Sequence, residues 1–420
     1  MIETSVLPCG IRLVTETMAD VRSVAVAYWV GTGSRDEPGE LAGASHFLEH
    51  LLFKGTERWS AAAIAEALDE VGGDCNAFTT KEYTTFYVRL LSDHLPLGFD
   101  ILSDIMREPA LRADDIEAER TVILDEILMH ADEPADLASE RWQAALFPDH
   151  PLGRDTLGTA ASVRRIVRDD IAGFFERHYR PGNMVVAAAG DCTHDEVAEQ
   201  LGRRFAGTAG GSGPERVAPG SDTVALDVVR RPTEQVHLVY GARSTSRFDE
   251  RRWALAVLNH VLGGGLSSRL FQKVREQRGL AYSIWSERAA YQDTGSLAVV
   301  VGTAPEHVRE ILQIVEEELD LLASDGVSER ELAVAKGNLR AELLLAGEDS
   351  GARMTRLGAS LLLYGEVLTV DELLARIDAV DRASVLEVAS ELARAPRTLS
   401  AVGPFAASEL ESLLPAAAAR

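Results

Sequence analysis

The chain has 420 residues, of which 46% are hydrophobic and 26% charged, the profile of a folded globular protein long enough for two cores. A formal net charge of −24 argues against a nucleic-acid backbone or an anionic membrane surface as partner, because both are held by clustered Lys and Arg. The start has no basic segment leading into an apolar one, no apolar run reaches spanning length, and Cys9, Cys75 and Cys192 are odd in number and far apart, so a reduced, cytoplasmic setting is expected.

In chain order, residues 24–30 are continuously apolar and end in Gly31-Thr32-Gly33-Ser34, as a buried strand running into a turn does. A buried helix is expected over 41–53, and it carries His46-Phe47-Leu48-Glu49-His50. On a helix His46 and His50 stand one turn apart on one face, with Glu49 at their edge. Two neutral imidazoles at that spacing can hold one zinc ion, and the carboxylate can then act on a water that the zinc activates. Ser60 precedes an amphipathic helix over 61–71, which Gly72-Gly73 stops. Residues 74–80 and 83–90 read as an antiparallel pair of strands around a polar turn at Lys81-Glu82.

Helical patterns follow at 95–106, 114–130, 136–147 and 168–178, then an apolar strand at 184–189 and a helix at 194–205. Gly, Pro and Ser dominate 207–221 and periodicity disappears there, which marks a linker. Beyond it the order repeats at an offset of about 210 positions. Val30-Gly31 is echoed by Tyr240-Gly241, Phe86-Tyr87-Val88 by Leu297-Ala298-Val299, and the strand at 184–190 by 399–403. The expected fold is therefore α+β, with two tandem homologous domains, each a mainly antiparallel sheet packed with helices. Their bounds are 1–206 and 222–420, with a frayed tail at 415–420. The second copy has Val257-Leu258-Asn259-His260-Val261 in place of the His/Glu motif, so only the first can carry the metal site.

Two histidines leave a catalytic zinc site one protein ligand short. On the helix over 114–130, Glu119 and Glu126 share one stripe within an apolar arc, where a carboxylate is costly to bury unless it is paired or metal-bound. Seven residues apart, either glutamate could bind the metal while the other supports a ligand histidine, and periodicity does not choose between them.

The segment Gly43-Ala44-Ser45-His46-Phe47-Leu48-Glu49-His50-Leu51-Leu52-Phe53-Lys54-Gly55-Thr56 resembles the signature of the pitrilysin/insulinase family of zinc peptidases. The nearest resemblance is to its half-length branch of bacterial processing proteases and mitochondrial processing peptidase subunits. In that family the distal ligand is a Glu 76 positions after the second His, which is Glu126, and Glu119 matches the family's supporting glutamate. Residues 73–80 resemble the edge strand on which substrate adds, with Asn76, Ala77 and Phe78 as substrate-binding positions. Residues 263–283 resemble the C-terminal signature, whose Arg and Tyr map onto Arg275 and Tyr282.

The resemblance implies a zinc-dependent endopeptidase with one zinc per chain, held by His46, His50 and Glu126. Glu49 would be the general base, and Arg275 and Tyr282 would grip the substrate and stabilise the oxyanion. Family members with four domains form a clamshell, so a two-domain chain implies a homodimer, or a heterodimer with a related chain. Its substrates would be peptides or unfolded segments, with Arg275 and Tyr282 acting in trans. The alternative from the same resemblance is a non-catalytic or partner-dependent subunit of a heterodimeric processing peptidase.

Overall fold

The computed structural model describes residues 1–414, so the tail expected at 415–420 lies outside the described residues. The described chain forms two compact units that interleave in sequence. Unit 1 draws on Met1–Ile127, Arg154–Arg216 and Leu343–Thr369, and unit 2 on Leu128–Gly153, Val217–Glu342 and the chain from Val370. Composition instead divides the chain once, at 207–221. The compact units differ from that division because one helix from each half of the sequence packs on the sheet built by the other half.

Unit 1 contains a six-stranded sheet formed by β1 (Ile2–Val6), β2 (Arg12–Thr17), β3 (Ser23–Val30), β4 (Asp74–Thr79), β5 (Thr84–Leu91) and β6 (Met184–Gly190). Its spatial order is β1-β2-β6-β3-β5-β4, with β2 and β6 parallel and the other neighbours antiparallel. Side chains alternate across a strand, so a run that is apolar at every position needs cover on both faces. That cover is present. Val24, Val26, Tyr28 and Val30 of β3 enter one core, shared with α1 (Ala44–Leu52), α2 (Ala61–Val71), α3 (Leu95–Arg107) and α4 (Ala113–Asp132). Ala25, Ala27 and Trp29 enter a second core with Val185, Ala187 and Ala189 of β6.

The second core is closed by the helix Ser350–Tyr364, which presents Met354, Leu357 and Leu361. Gly358 lets it sit close: a Cβ there would lie 2.1 Å from Trp29 Nε1. Each large apolar side chain buried at this contact contributes about 1.5–3 kcal/mol. Strands β1 and β2 escape the apolar criterion that finds the others, because β1 is mostly exposed and polar and joins the sheet only through β2.

Unit 2 contains a five-stranded sheet of β7 (Ala225–Arg230), β8 (Val236–Ser244), β9 (Ala281–Ala290), β10 (Gly295–Thr303) and β11 (Thr398–Gly403), in the order β7-β11-β8-β10-β9. Only β7 and β11 run parallel. The pattern repeats that of β2-β6-β3-β5-β4, and the echoed segments fall on corresponding strands. Here α5 (Pro134–Leu146) covers one face, with Trp142 and Leu146 against Val239, Val300 and Val402, and Trp142 Nε1 donates to the Thr398 carbonyl at 3.0 Å.

Residues 208–224 carry no helix or strand, but the stretch is tethered: Arg216, half-buried with its side chain largely covered, forms a two-pronged pair with Asp36 at 2.8 Å and donates to the Glu82 carbonyl. Among the described residues no helix is long and apolar enough to cross a membrane.

Candidate metal centre

The centre is built on α1, whose start is fixed by two devices. Gly43 caps it with φ at +97°, and a Cβ at that position would lie 2.6 Å from the Leu157 carbonyl oxygen, so both backbone and space require glycine. The carboxylate of Glu37 accepts from the backbone N–H groups of Gly43 at 2.8 Å and Ser45 at 2.7 Å, satisfying donors that a helix start leaves open. Phe47, Leu48, Leu51 and Leu52 then anchor α1 in the core, which leaves His46, Glu49 and His50 on one side.

Burial pushes the Glu37 carboxyl up from its ordinary value of 4.5 to about 7, against the opposing pull of the Ser45 and Gly43 N–H groups. Between those values the folded protein holds a proton that the unfolded chain has lost. The stability this gives is complete below about pH 4.5 and is lost as pH rises through 7. The stability difference between the wild type and Glu37→Gln, which does not titrate, is expected to move by about 3 kcal/mol in the variant's favour across that window. Urea unfolding at several pH values measures it, and a flat difference would show that Glu37 does not titrate there.

Across from α1, the structure brings Glu126 of α4 to the two histidines. Its Oε2 lies 3.6 Å from His46 Nε2 and 3.7 Å from His50 Nε2, and one donor atom from each of the three residues falls within 4.8 Å of the others. Tetrahedral zinc with bonds near 2.0–2.1 Å sets its ligand atoms roughly 3.3–3.4 Å apart, so this nitrogen, nitrogen, oxygen set fits the ion with little adjustment.

Glu119, two turns earlier on α4, reaches the other side of the same ring: its Oε2 lies 2.8 Å from His50 Nδ1, and its Oε1 pairs with Lys54. With Nδ1 engaged by Glu119, Nε2 is the ring nitrogen turned toward Glu126 and available to a metal. Burial works to raise the Glu119 carboxyl, but the bonds to Lys54 and His50 outweigh it and hold the group below its ordinary range. The structure thus puts Glu126 at the Nε2 side of the ring and Glu119 at the Nδ1 side, a difference that their shared stripe does not show.

Glu49 accepts from the Thr79 hydroxyl at 2.6 Å, and burial pushes its carboxyl above the ordinary range despite that bond. Thr79 ends β4, which pairs with β5 alone and leaves its other edge open. On β4, Asn76 is exposed and its Oδ1 accepts from the Ala77 N–H at 2.8 Å, while Phe78 packs edge-on to Trp29 and Tyr83 in the second core. Arg275 and Tyr282 belong to unit 2. They meet each other, the guanidinium lying 4.9 Å from the ring centroid, and Tyr282 is 79% exposed.

Lys54, Thr79 and Glu37 are site residues that the sequence pattern does not single out. Lys54 stands four positions after His50, a spacing that could have drawn notice. Thr79 and Glu37 carry no such signal.

Residues 12–160 match the insulinase family, peptidase family M16, and residues 165–339 match the domain described as the peptidase M16 inactive domain. An uncharacterized zinc protease of Streptomyces coelicolor is 42% identical over 412 residues, 96% of this chain and 90% of that protein. One of Mycobacterium tuberculosis is 44% identical over 404 residues, 95% and 92% respectively. Among solved structures, a protease from Helicobacter pylori superposes with a TM-score of 0.90 at 22% identity, covering 96% of this chain and 99% of that one. A structure titled as a peptidase M16 inactive domain from Pseudomonas fluorescens gives 0.89 at 21%, covering 97% and 98%, and at such identity both bear on the fold alone. With relatives this similar along nearly its whole length, the chain belongs to the insulinase family, peptidase family M16.

Proposed function

We propose that the chain is a zinc-dependent endopeptidase that hydrolyses peptides or unfolded polypeptide segments inside a chamber completed by a second copy of itself. The observation that carries this reading is the convergence of His46, His50 and Glu126 on one point, with Glu49 on the same face of α1. The naming of relatives at 42–44% identity as zinc proteases supports it. Zinc held by those three residues would supply Lewis acidity, activating a water and polarising the scissile carbonyl.

The chain's own groups do the rest. Glu49 accepts the water's proton and returns it to the leaving amine. Glu119 keeps the proton of His50 on Nδ1. The free edge of β4 receives an extended peptide as an added strand. Arg275 and Tyr282 donate to the oxyanion and the substrate backbone, from the second domain of the partner copy.

The chain expressed alone tests this in one experiment. Size exclusion is expected to give a dimer with one zinc per chain that cleaves an internally quenched peptide. Mixing Glu49→Gln with Tyr282→Phe is expected to restore activity that neither has alone. A fully active monomer would exclude the shared chamber, and zinc-loaded protein inert on every peptide until a related chain is added would favour the partner-dependent reading.

A further inference from the structure

Thr79 connects two parts of the site that the proposed reaction treats separately. Alternation along β4 puts Cys75, Ala77 and Thr79 on the face toward α1, where Cys75 and Ala77 pack against the core that α1 shares. Asn76 and Phe78 point the other way. Thr79 is β-branched and held in register opposite Thr84 of β5, so its hydroxyl has little freedom to turn. That hydroxyl donates to Glu49 Oε2 at 2.6 Å. One end of the open edge strand therefore holds one oxygen of Glu49.

Resting on the peptidase reading above, we infer that Thr79 is a positioning residue for Glu49. It fixes the carboxylate's orientation and couples it to β4, so that an extended substrate added to this strand is registered against the base. Nothing in this role needs Thr79 to touch zinc or the scissile bond. A hydrogen bond to a charged group that is lost from a preorganised site costs about tenfold or more in rate.

The test compares Thr79→Val, which keeps shape and strand preference but removes the donor, with Thr79→Ser, which keeps the donor. For each purified protein, zinc affinity, kcat and KM on an extended quenched peptide, and the crystallographic orientation of the Glu49 side chain would be measured. Thr79→Val is expected to bind zinc as the wild type does, to keep KM within about twofold, to lose about tenfold or more in kcat, and to show Glu49 turned away from its wild-type position. Thr79→Ser is expected to restore both kcat and orientation. The inference is overturned if Thr79→Val leaves Glu49 and kcat unchanged, or if Thr79→Ser is as impaired as Thr79→Val. If the wild type itself cleaves no peptide, the peptidase reading fails, yet the orientation of Glu49 in the two variants still decides whether Thr79 positions it.

Discussion

Peptide hydrolysis by Glu49→Gln is expected to fall by about a hundredfold to ten-thousandfold, with zinc content unchanged. Glutamine keeps the length and shape of the side chain and can still accept from the Thr79 hydroxyl through its one carbonyl oxygen. The lost capacity is narrow: an amide cannot take a proton from water and return it to an amine. None of the three converging donors is Glu49, so metal retention separates loss of the base from loss of the site. Atomic absorption and steady-state kinetics on the same preparation measure both quantities. Full activity with full zinc would eliminate Glu49 as the base.

Zinc affinity is expected to discriminate sharply between the two glutamates of α4. Glu126→Gln replaces an anionic donor that faces both Nε2 atoms and should weaken binding by more than a hundredfold, with activity lost in parallel. Glu119→Gln should weaken it by about 10- to 100-fold, the usual cost of removing a group that orients a ligand histidine. In that variant the side-chain carbonyl can still accept from His50 Nδ1, but the amide NH2 then faces Lys54, donor against donor. Lys54→Met in the same background would relieve that conflict and recover part of the loss. Competition with a chromophoric chelator gives the affinities. Equal losses in the two single variants, or a greater loss in Glu119→Gln, would reverse the geometric assignment.

Much of this centre was readable along the sequence because it is local. The spacing of His46, Glu49 and His50 is a property of one helix, and so is the common stripe of Glu119 and Glu126. Which glutamate meets which nitrogen depends on how α4 is rotated and seated against α1, a tertiary quantity that periodicity lacks. From the sequence, only the family resemblance distinguishes Glu126 from Glu119.

The same limit hides Glu37 and Thr79, whose partners lie eight and thirty positions away on other elements. Strands were legible where both faces are covered, as in β3 and β6, and illegible in polar β1. The residues at 350–364 show an apolar face, but an amphipathic helix does not declare which sheet it will cover.

That placement bears on how the protein is made. The sheet of unit 1 has all its strands by Gly190, yet the helix that covers Trp29, Ala25, Ala27, Val185, Ala187 and Ala189 is Ser350–Tyr364, which is synthesised much later. During translation more than 150 further residues must leave the ribosome before that helix can close the face. A gene cut at the linker would encode two fragments, each lacking the helix that closes its own sheet and each carrying one meant for the other. The duplication visible in the sequence is thus an ancestry that the present chain can no longer reverse by division.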